Sequence, residues 1–233
     1  MVLRMLIFLI LFQNLLGTQQ ARSFTELNEN KKDPGEDTKN WVDSWVAPDV
    51  VKHKFLYYIS GYDYDGRPIL VLPWGNWDTR TIVEKGGENV QNLEKYFDQL
   101  VQRILRGAFT RPSNNETEDI PVSDELVVIV DFDDLNLRQI TLPENFRFLV
   151  KNVAKINLCF EKIAYGFAIN VNSVAAQMME VVRPTLARFL EKVNVYGTIT
   201  SFWKPILLKT LPADQLHPAY GGPKDFRPVK VYG

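Results

Sequence analysis

The chain has 233 residues, which allows one generous domain with a sizeable core. Hydrophobic residues make up 45% and charged residues 24%, a balance that excludes a disordered polar chain. With 27 Lys+Arg against 28 Asp+Glu the net charge is -1, so no basic excess points to nucleic acid, and a single cysteine excludes an intrachain disulfide.

The N-terminus reads as a targeting signal. Arg4 is followed by the unbroken apolar run Met5 to Phe12, extended by Leu15 and Leu16. That run has the length of a signal-peptide core and is too short to span a bilayer. Cleavage near Gly17 predicts a secreted protein, and a retained anchor is the alternative. The sequon Asn115-Glu116-Thr117 lies in the polar stretch RPSNNETEDIP, so Asn115 is a candidate glycosylation site. Ser23 to Asp43 is polar and carries Asp33-Pro34-Gly35, as a linker does. The expected plan is a signal at 1–22, a polar arm at 23–50, one domain at 51–222 and a tail at 223–233.

Two strands are predicted at His53 to Ser60 and Arg67 to Pro73, around the turn signal Asp65-Gly66. Asn89 to Phe109 is an amphipathic helix, with Val90, Leu93, Phe97, Leu100, Val101 and Ile104 on one face. Gly86-Gly87 before it reads as a helix stop. Glu125 to Asp131 is an apolar run entering an acidic turn, as in a central parallel strand. A further helix is predicted from Thr141, with Thr141 and Glu144 as a capping box, Pro143 in the first turn, and Phe146, Leu149, Val150, Val153 and Ile156 on its apolar face.

Glu161 to Gly197 reads as strand, helix, break, short helix, strand. Lys162 to Val171 suits a buried strand, Asn172 and Ser173 suit a helix cap, and Val174 to Val182 is apolar nearly all round before Pro184 interrupts it. Such a segment is either a fully buried core helix or a lid that meets an apolar ligand on one side and a membrane on the other. Strands alternating with helices predict an α/β sheet layered with helices.

Catalytic constellations are few. Asp131, Asp133 and Asp134 cluster at a strand end, where α/β folds place ligands. A strand running into Asp-Phe-Asp-Asp resembles the first motif of magnesium-dependent aspartate-nucleophile phosphatases, in which the first carboxylate attacks phosphorus and the second handles a proton. Leu135 stands where that motif has threonine or valine, and the later strand ends Ile169-Asn170-Val171 without an acid. His53, read as an edge-strand residue, and His217, read as a loop residue, are the only histidines. There is no nucleophile elbow, glycine-rich phosphate loop or His/Cys metal spacing. Cys159, between Leu158 and Phe160, reads as a small buried residue.

From about Val51 to Gly222 the sequence resembles a CRAL-TRIO (Sec14-like) lipid-binding domain. Gly61-Tyr62-Asp63-Tyr64-Asp65-Gly66-Arg67-Pro68 resembles the family's G-x-D-x-x-G-R-P hairpin, and Val127 to Asp131 its central strand. Ile169-Asn170, the apolar helix and Arg183-Pro184 resemble its I-N-A-P…K-P-F segment. Val193 to Gly197 resembles its last strand, and Leu207-Leu208, Leu211-Pro212 and Ala219-Tyr220-Gly221-Gly222 its closing segment. The resemblance implies a mixed, mostly parallel α/β sheet flooring an apolar lipid pocket, helices on its faces, and a mobile gate helix matched by Ser173 to Leu190. Gate and pocket positions are then Val174, Met178, Met179, Val181, Val182, Leu186 and Phe189. It also implies, for phosphatidylinositol-binding members, a headgroup glutamate and lysine that Glu161 and Lys192 match. Phe160 replaces that segment's usual proline, a headgroup threonine falls near Phe189, and the family's N-terminal helical bundle has no counterpart here.

The expected function is therefore a non-enzymatic, monomeric carrier that takes up a hydrophobic lipid and meets a membrane surface transiently, with no cofactor other than the lipid. A phospholipid such as phosphatidylinositol is one ligand, and a retinoid, tocopherol, sterol or fatty acyl compound another. A phosphatase using Asp131 and Asp133, or an interaction module without cargo, are the alternatives.

Overall fold

The computed structural model describes residues 41–111 and 123–233; the signal segment and Asn115 lie outside the described residues. The chain divides into two units, Met1–Trp45 and Val46–Gly233. Of the first, residues 41–44 are helical. All that follows concerns the second.

The hairpin forms where Asp65-Gly66 specifies it. Gly66 has φ 79°, a conformation glycine adopts without a Cβ clash. Strands β1 (Tyr57–Tyr62) and β2 (Pro68–Leu72) flank it. Asp63 Oδ1 ties the turn by accepting from the backbone N–H of Asp65 (3.0 Å) and Arg67 (2.7 Å). His53 is not on an edge strand. Pro48 and Asp49 start a short helix, α1 (Asp49–Lys52), and His53 caps its C-terminal end, its N–H donating to the Asp49 carbonyl. That helical end holds the backbone to Phe55 and delays β1.

Helix α2 (Thr79–Lys85) is capped by Asp78 and stops at Gly86. Helix α3 (Glu88–Leu105) buries Leu93, Phe97, Leu100, Val101 and Ile104, the predicted stripe except for the half-buried Val90, and ends before Phe109. Strand β3 (Leu126–Asp131) follows. The predicted capping box at Thr141 is not formed. Pro143 forces Leu142 into extended backbone, φ -78° and ψ 119°. The region therefore splits into α4 (Leu137–Thr141) and α5 (Pro143–Lys155). Thr141 ends one helix instead of capping the next, and its hydroxyl donates to the Arg138 carbonyl. The working box is upstream, where Gln139 Oε1 accepts from the Asn136 N–H at 2.7 Å.

A 3-10 segment, Ile156–Lys162, leads into β4 (Ile163–Val171). The predicted break after Val182 is absent: α6 runs continuously over Ser173–Lys192 with Pro184 inside it. Proline removes one N–H and crowds one carbonyl. Here its side is exposed, and the buried stripe Ala175, Met178, Val182, Leu186 and Phe189 passes it on the opposite face. Packing of that stripe holds both halves in one helix. Strand β5 (Val193–Gly197) and helix α7 (Thr200–Thr210) follow. Lys230–Tyr232 forms β6, a strand with no signal in the sequence reading.

The strand order is β5-β4-β3-β2-β1-β6. Strands β2 to β5 pair in parallel, while β1 pairs antiparallel with both β2 and β6. Side chains alternate across a strand, and the two faces are sharply sorted. Ile69, Val71, Val127, Ile129, Phe167 and Ile169 form one core with Trp203 and Leu207 of α7 and with Leu211, Leu216 and Tyr220. Leu70, Leu72, Val128, Val130 and Ala168 point to the other side, toward α3, α5 and α6.

Candidate functional site

The second face of the sheet does not close into a filled core. It floors a cavity of about 80 Å3. Phe97, Leu100, Val101 and Ile104 of α3 form one wall, and Phe146, Leu149, Val150, Asn152 and Val153 of α5 a second. Met178, Met179, Val182, Leu186, Phe189 and Leu190 of α6 form a third. No charged side chain lines it. Cys159, also in the wall, is fully buried, and that burial pushes its thiol up to about 12. It behaves as the small buried residue its neighbours suggested.

Of the gate and pocket candidates, Met178, Met179, Val182, Leu186 and Phe189 line the cavity, whereas Val174 and Val181 do not. Both are half-buried on the flank of α6. The opposite face of this helix carries Gln177, Glu180, Arg183, Arg188 and Glu191, all exposed. So α6 is neither a fully buried helix nor one with an apolar outer surface. Its polar attachments include one in its middle, where Asn157 Nδ2 donates to the Thr185 carbonyl, and others at its two ends. Asn172 Oδ1 accepts from Val174 N (3.0 Å) and Ala175 N (2.9 Å), and its Nδ2 donates to Leu135 O at 2.7 Å. At the other end Lys192 Nζ donates to the carbonyls of Phe160 (3.1 Å) and Ile163 (2.6 Å).

The two headgroup candidates meet around Phe160 and outside the cavity wall. Glu161 is exposed and pairs with Arg188 at 3.0 Å. Lys192 Nζ, besides its two carbonyls, lies 4.4 Å from the centroid of the Phe160 ring. Arg188 stacks on the same ring at 4.3 Å.

The acidic turn after β3 is built as a structural knot. Asp131 Oδ1 accepts from Asn170 Nδ2 (2.8 Å) and from the Asp133 N–H (3.0 Å), and its Oδ2 accepts from the Tyr220 hydroxyl (2.9 Å). Burial of Tyr220 holds its hydroxyl well above the usual phenol range, so it stays a donor. Asp133 and Asp134 are exposed. Among the described residues no group of three His, Cys, Asp or Glu side chains is arranged to hold a metal ion.

Wall residues on α3 and α5 were legible as apolar faces but not as cavity lining, because periodicity cannot separate a filled core from a hollow one. Asn152 went unnoticed. Its signal was available: an amide at i+3 from Leu149 and i-4 from Ile156 stands on the apolar stripe itself.

The family profile of the CRAL/TRIO domain matches residues 52–222. The chain belongs to the CRAL/TRIO family. Members bind and transfer lipids, and lipid binding is the general function of this domain. The mixed six-stranded sheet with helices on its faces is that family's fold. A comparison with curated proteins gave no match. Among solved structures, the crystal structure of Sfh5 is similar at 13% identity and a TM-score of 0.49, covering 72% of this chain and 60% of that one.

Proposed function

We propose that this CRAL/TRIO domain encloses a hydrophobic lipid between the sheet and helices α3, α5 and α6 and carries it between membranes, with α6 as the wall that opens. The observation that carries this reading is the cavity: an apolar space without a charged lining residue, closed on one side by α6. The physical need is plain. Each buried methylene contributes about 0.8 kcal/mol, so a long chain leaves a bilayer slowly unless other apolar contacts replace the lipid tails. The cavity of about 80 Å3 compares with roughly 10–15 Å3 for one water. A lipid chain enters only as the walls part, and α6 is an apolar wall held by few polar ties, from Asn172 and Lys192 at its ends and from Asn157 and Glu161 between them.

A neutral lipid fits better than a phosphoinositide. Lys192 already donates to two carbonyls and Glu161 already has Arg188, so a phosphate headgroup at Phe160 would have to displace both. Lys192→Ala therefore leaves ligand binding intact if the cargo is neutral and weakens it if Lys192 serves a headgroup. The protein needs no catalytic step in this reading; both Asp131 oxygens accept structural bonds. For membrane contact, support comes from Ile199, Phe202 and Ile206, exposed at 56%, 69% and 39% and spaced for one side of α7. The charged outer face of α6 offers none.

The decisive experiment is mass spectrometry of lipids that co-purify with the full chain. A defined hydrophobic species at near-stoichiometric ratio is expected. Its absence, together with failure to move any labelled lipid between vesicles, removes the carrier reading. We also propose, from the apolar run after Arg4, that the protein enters the secretory pathway. Loss of the first residues and a gel shift abolished by Asn115→Gln are the expected outcomes in eukaryotic cells; an intact N-terminus on cytosolic protein refutes secretion.

A further inference from the structure

One polar group in the cavity wall is left without a partner. Asn152 of α5 is 4% exposed. Its Nδ2 donates to the Phe148 carbonyl at 2.8 Å, which sets the orientation of the amide. Its Oδ1 is buried and has no hydrogen-bond partner among the described residues. A bare acceptor in an apolar site is unfavourable, and the great majority of buried polar groups are paired. The fold gains little from this residue. The Phe148 carbonyl already receives the backbone N–H of Asn152, its helical i-4 partner. Leucine, of similar size, would fill the same place without a stranded oxygen.

The other groups of the wall define what Oδ1 can receive. The Cys159 thiol is directed at the Val101 carbonyl, 3.9 Å away, and no cationic side chain lines the cavity. An anionic headgroup would meet an acceptor and no counter-charge. A hydrocarbon, ester or ether would leave the oxygen bare. A neutral hydroxyl supplies the missing proton.

We propose that Asn152 is the specificity-determining residue of the lipid site, its Oδ1 accepting a hydrogen bond from the hydroxyl of a neutral, alcohol-headed lipid. The inference rests on the lipid-carrier reading and adds to it the class of ligand. It also accounts for an amide on the one helical stripe where the fold calls for an apolar residue.

The test uses the full chain and tritiated 1-hexadecanol, displaced by unlabelled 1-hexadecanol, hexadecyl methyl ether, or palmitate at alkaline pH. The alcohol is expected to bind about tenfold more tightly than its ether, the equivalent of one buried neutral hydrogen bond, and palmitate more weakly than either. In Asn152→Leu the alcohol and ether should converge, ether affinity should hold, and the thermal midpoint should equal or exceed that of the wild type. If the wild type does not distinguish alcohol from ether, a trapped water satisfies Oδ1 and the inference fails while the carrier reading stands. Tighter binding of palmitate also overturns it, since an anion would then be preferred. If hexadecanol does not bind and no lipid co-purifies, the carrier reading falls and takes this inference with it. Should Asn152→Leu not fold, the amide is structural and the inference is refuted on that ground.

Discussion

Asp131 and Cys159 show how neighbours decide what a reactive-looking side chain does. Asp131 receives three donors, two of them the side chains of Asn170 and of the buried Tyr220. Asn170 itself sits at φ 56°, a left-handed conformation that asparagine tolerates better than most residues. Removing the carboxylate takes three hydrogen bonds from this knot and leaves the buried Tyr220 hydroxyl only its bond with Tyr58. Asp131→Ala should therefore lower stability by about 1–3 kcal/mol in urea denaturation. A magnesium-dependent phosphatase activity that disappears in this variant would reverse the assignment. Cys159 is fully buried in the cavity wall. Because burial pushes its thiol up to about 12, almost none is thiolate near neutral pH. A thiol reagent at pH 8 should label it far more slowly in native protein than after unfolding; equal rates would mean the wall gives the thiol no protection.

At the scale of elements, α6 divides its residues by angle rather than by composition. Met178 is 5% exposed on the buried stripe, while Met179 borders the cavity from the edge of the helix and is half-buried. A carboxylate at either position is unfavourable by several kcal/mol if the site stays dry. For Met178→Asp that penalty falls on folding, and the thermal midpoint should drop severely. For Met179→Asp part of it is relieved by rotation to solvent. Cooperative unfolding should persist while vesicle-to-vesicle lipid transfer falls at least tenfold. Equal loss of folding in both variants would make α6 an ordinary core helix. Apolar run length could not have told these two methionines apart. Their roles follow from which side of a continuous helix faces the sheet, and continuity was itself hidden by Pro184.

Across the whole molecule, buried tyrosines link stability to alkaline pH. Tyr57 and Tyr58 are each pushed up to about 12, in both cases chiefly by burial; the Arg103 guanidinium opposes the shift at Tyr57 and the hydrogen bond with Tyr220 opposes it at Tyr58. Unfolded tyrosine titrates near 10. A group raised in the folded state stabilises it fully below its unfolded value, and that contribution is lost as pH rises through the folded one. The stability from both tyrosines is thus complete below about pH 10 and declines between about pH 10 and 12. Cys159 begins the same decline from its own lower unfolded value. Urea midpoints measured from pH 8 to 11 should be level at first and then fall. A midpoint unchanged through pH 11 would mean these hydroxyls reach water in the native state.

The local sequence determined what depends on neighbours in the chain. Gly66 dictated its turn, the stripe from Leu93 to Ile104 dictated α3, and the ordered series from the Gly61–Pro68 hairpin to Gly221-Gly222 carried the family. A hairpin needs only a residue that accepts positive φ, and a helix face needs only a repeat. Tertiary structure decided the rest. Pro184 was tolerated because the apolar stripe around it packs. Lys230–Tyr232 became a strand because β1 had an open edge, a partner almost the whole domain away in sequence. The cavity was expected only through the family resemblance, because its walls come from many separate elements and each reads simply as an apolar face. That the sheet sorts Ile69, Val71 and Val127 to one core and Leu70, Leu72 and Val128 to the cavity is a matter of register. Register between parallel strands is set by long-range pairing, which no single stretch of the chain contains.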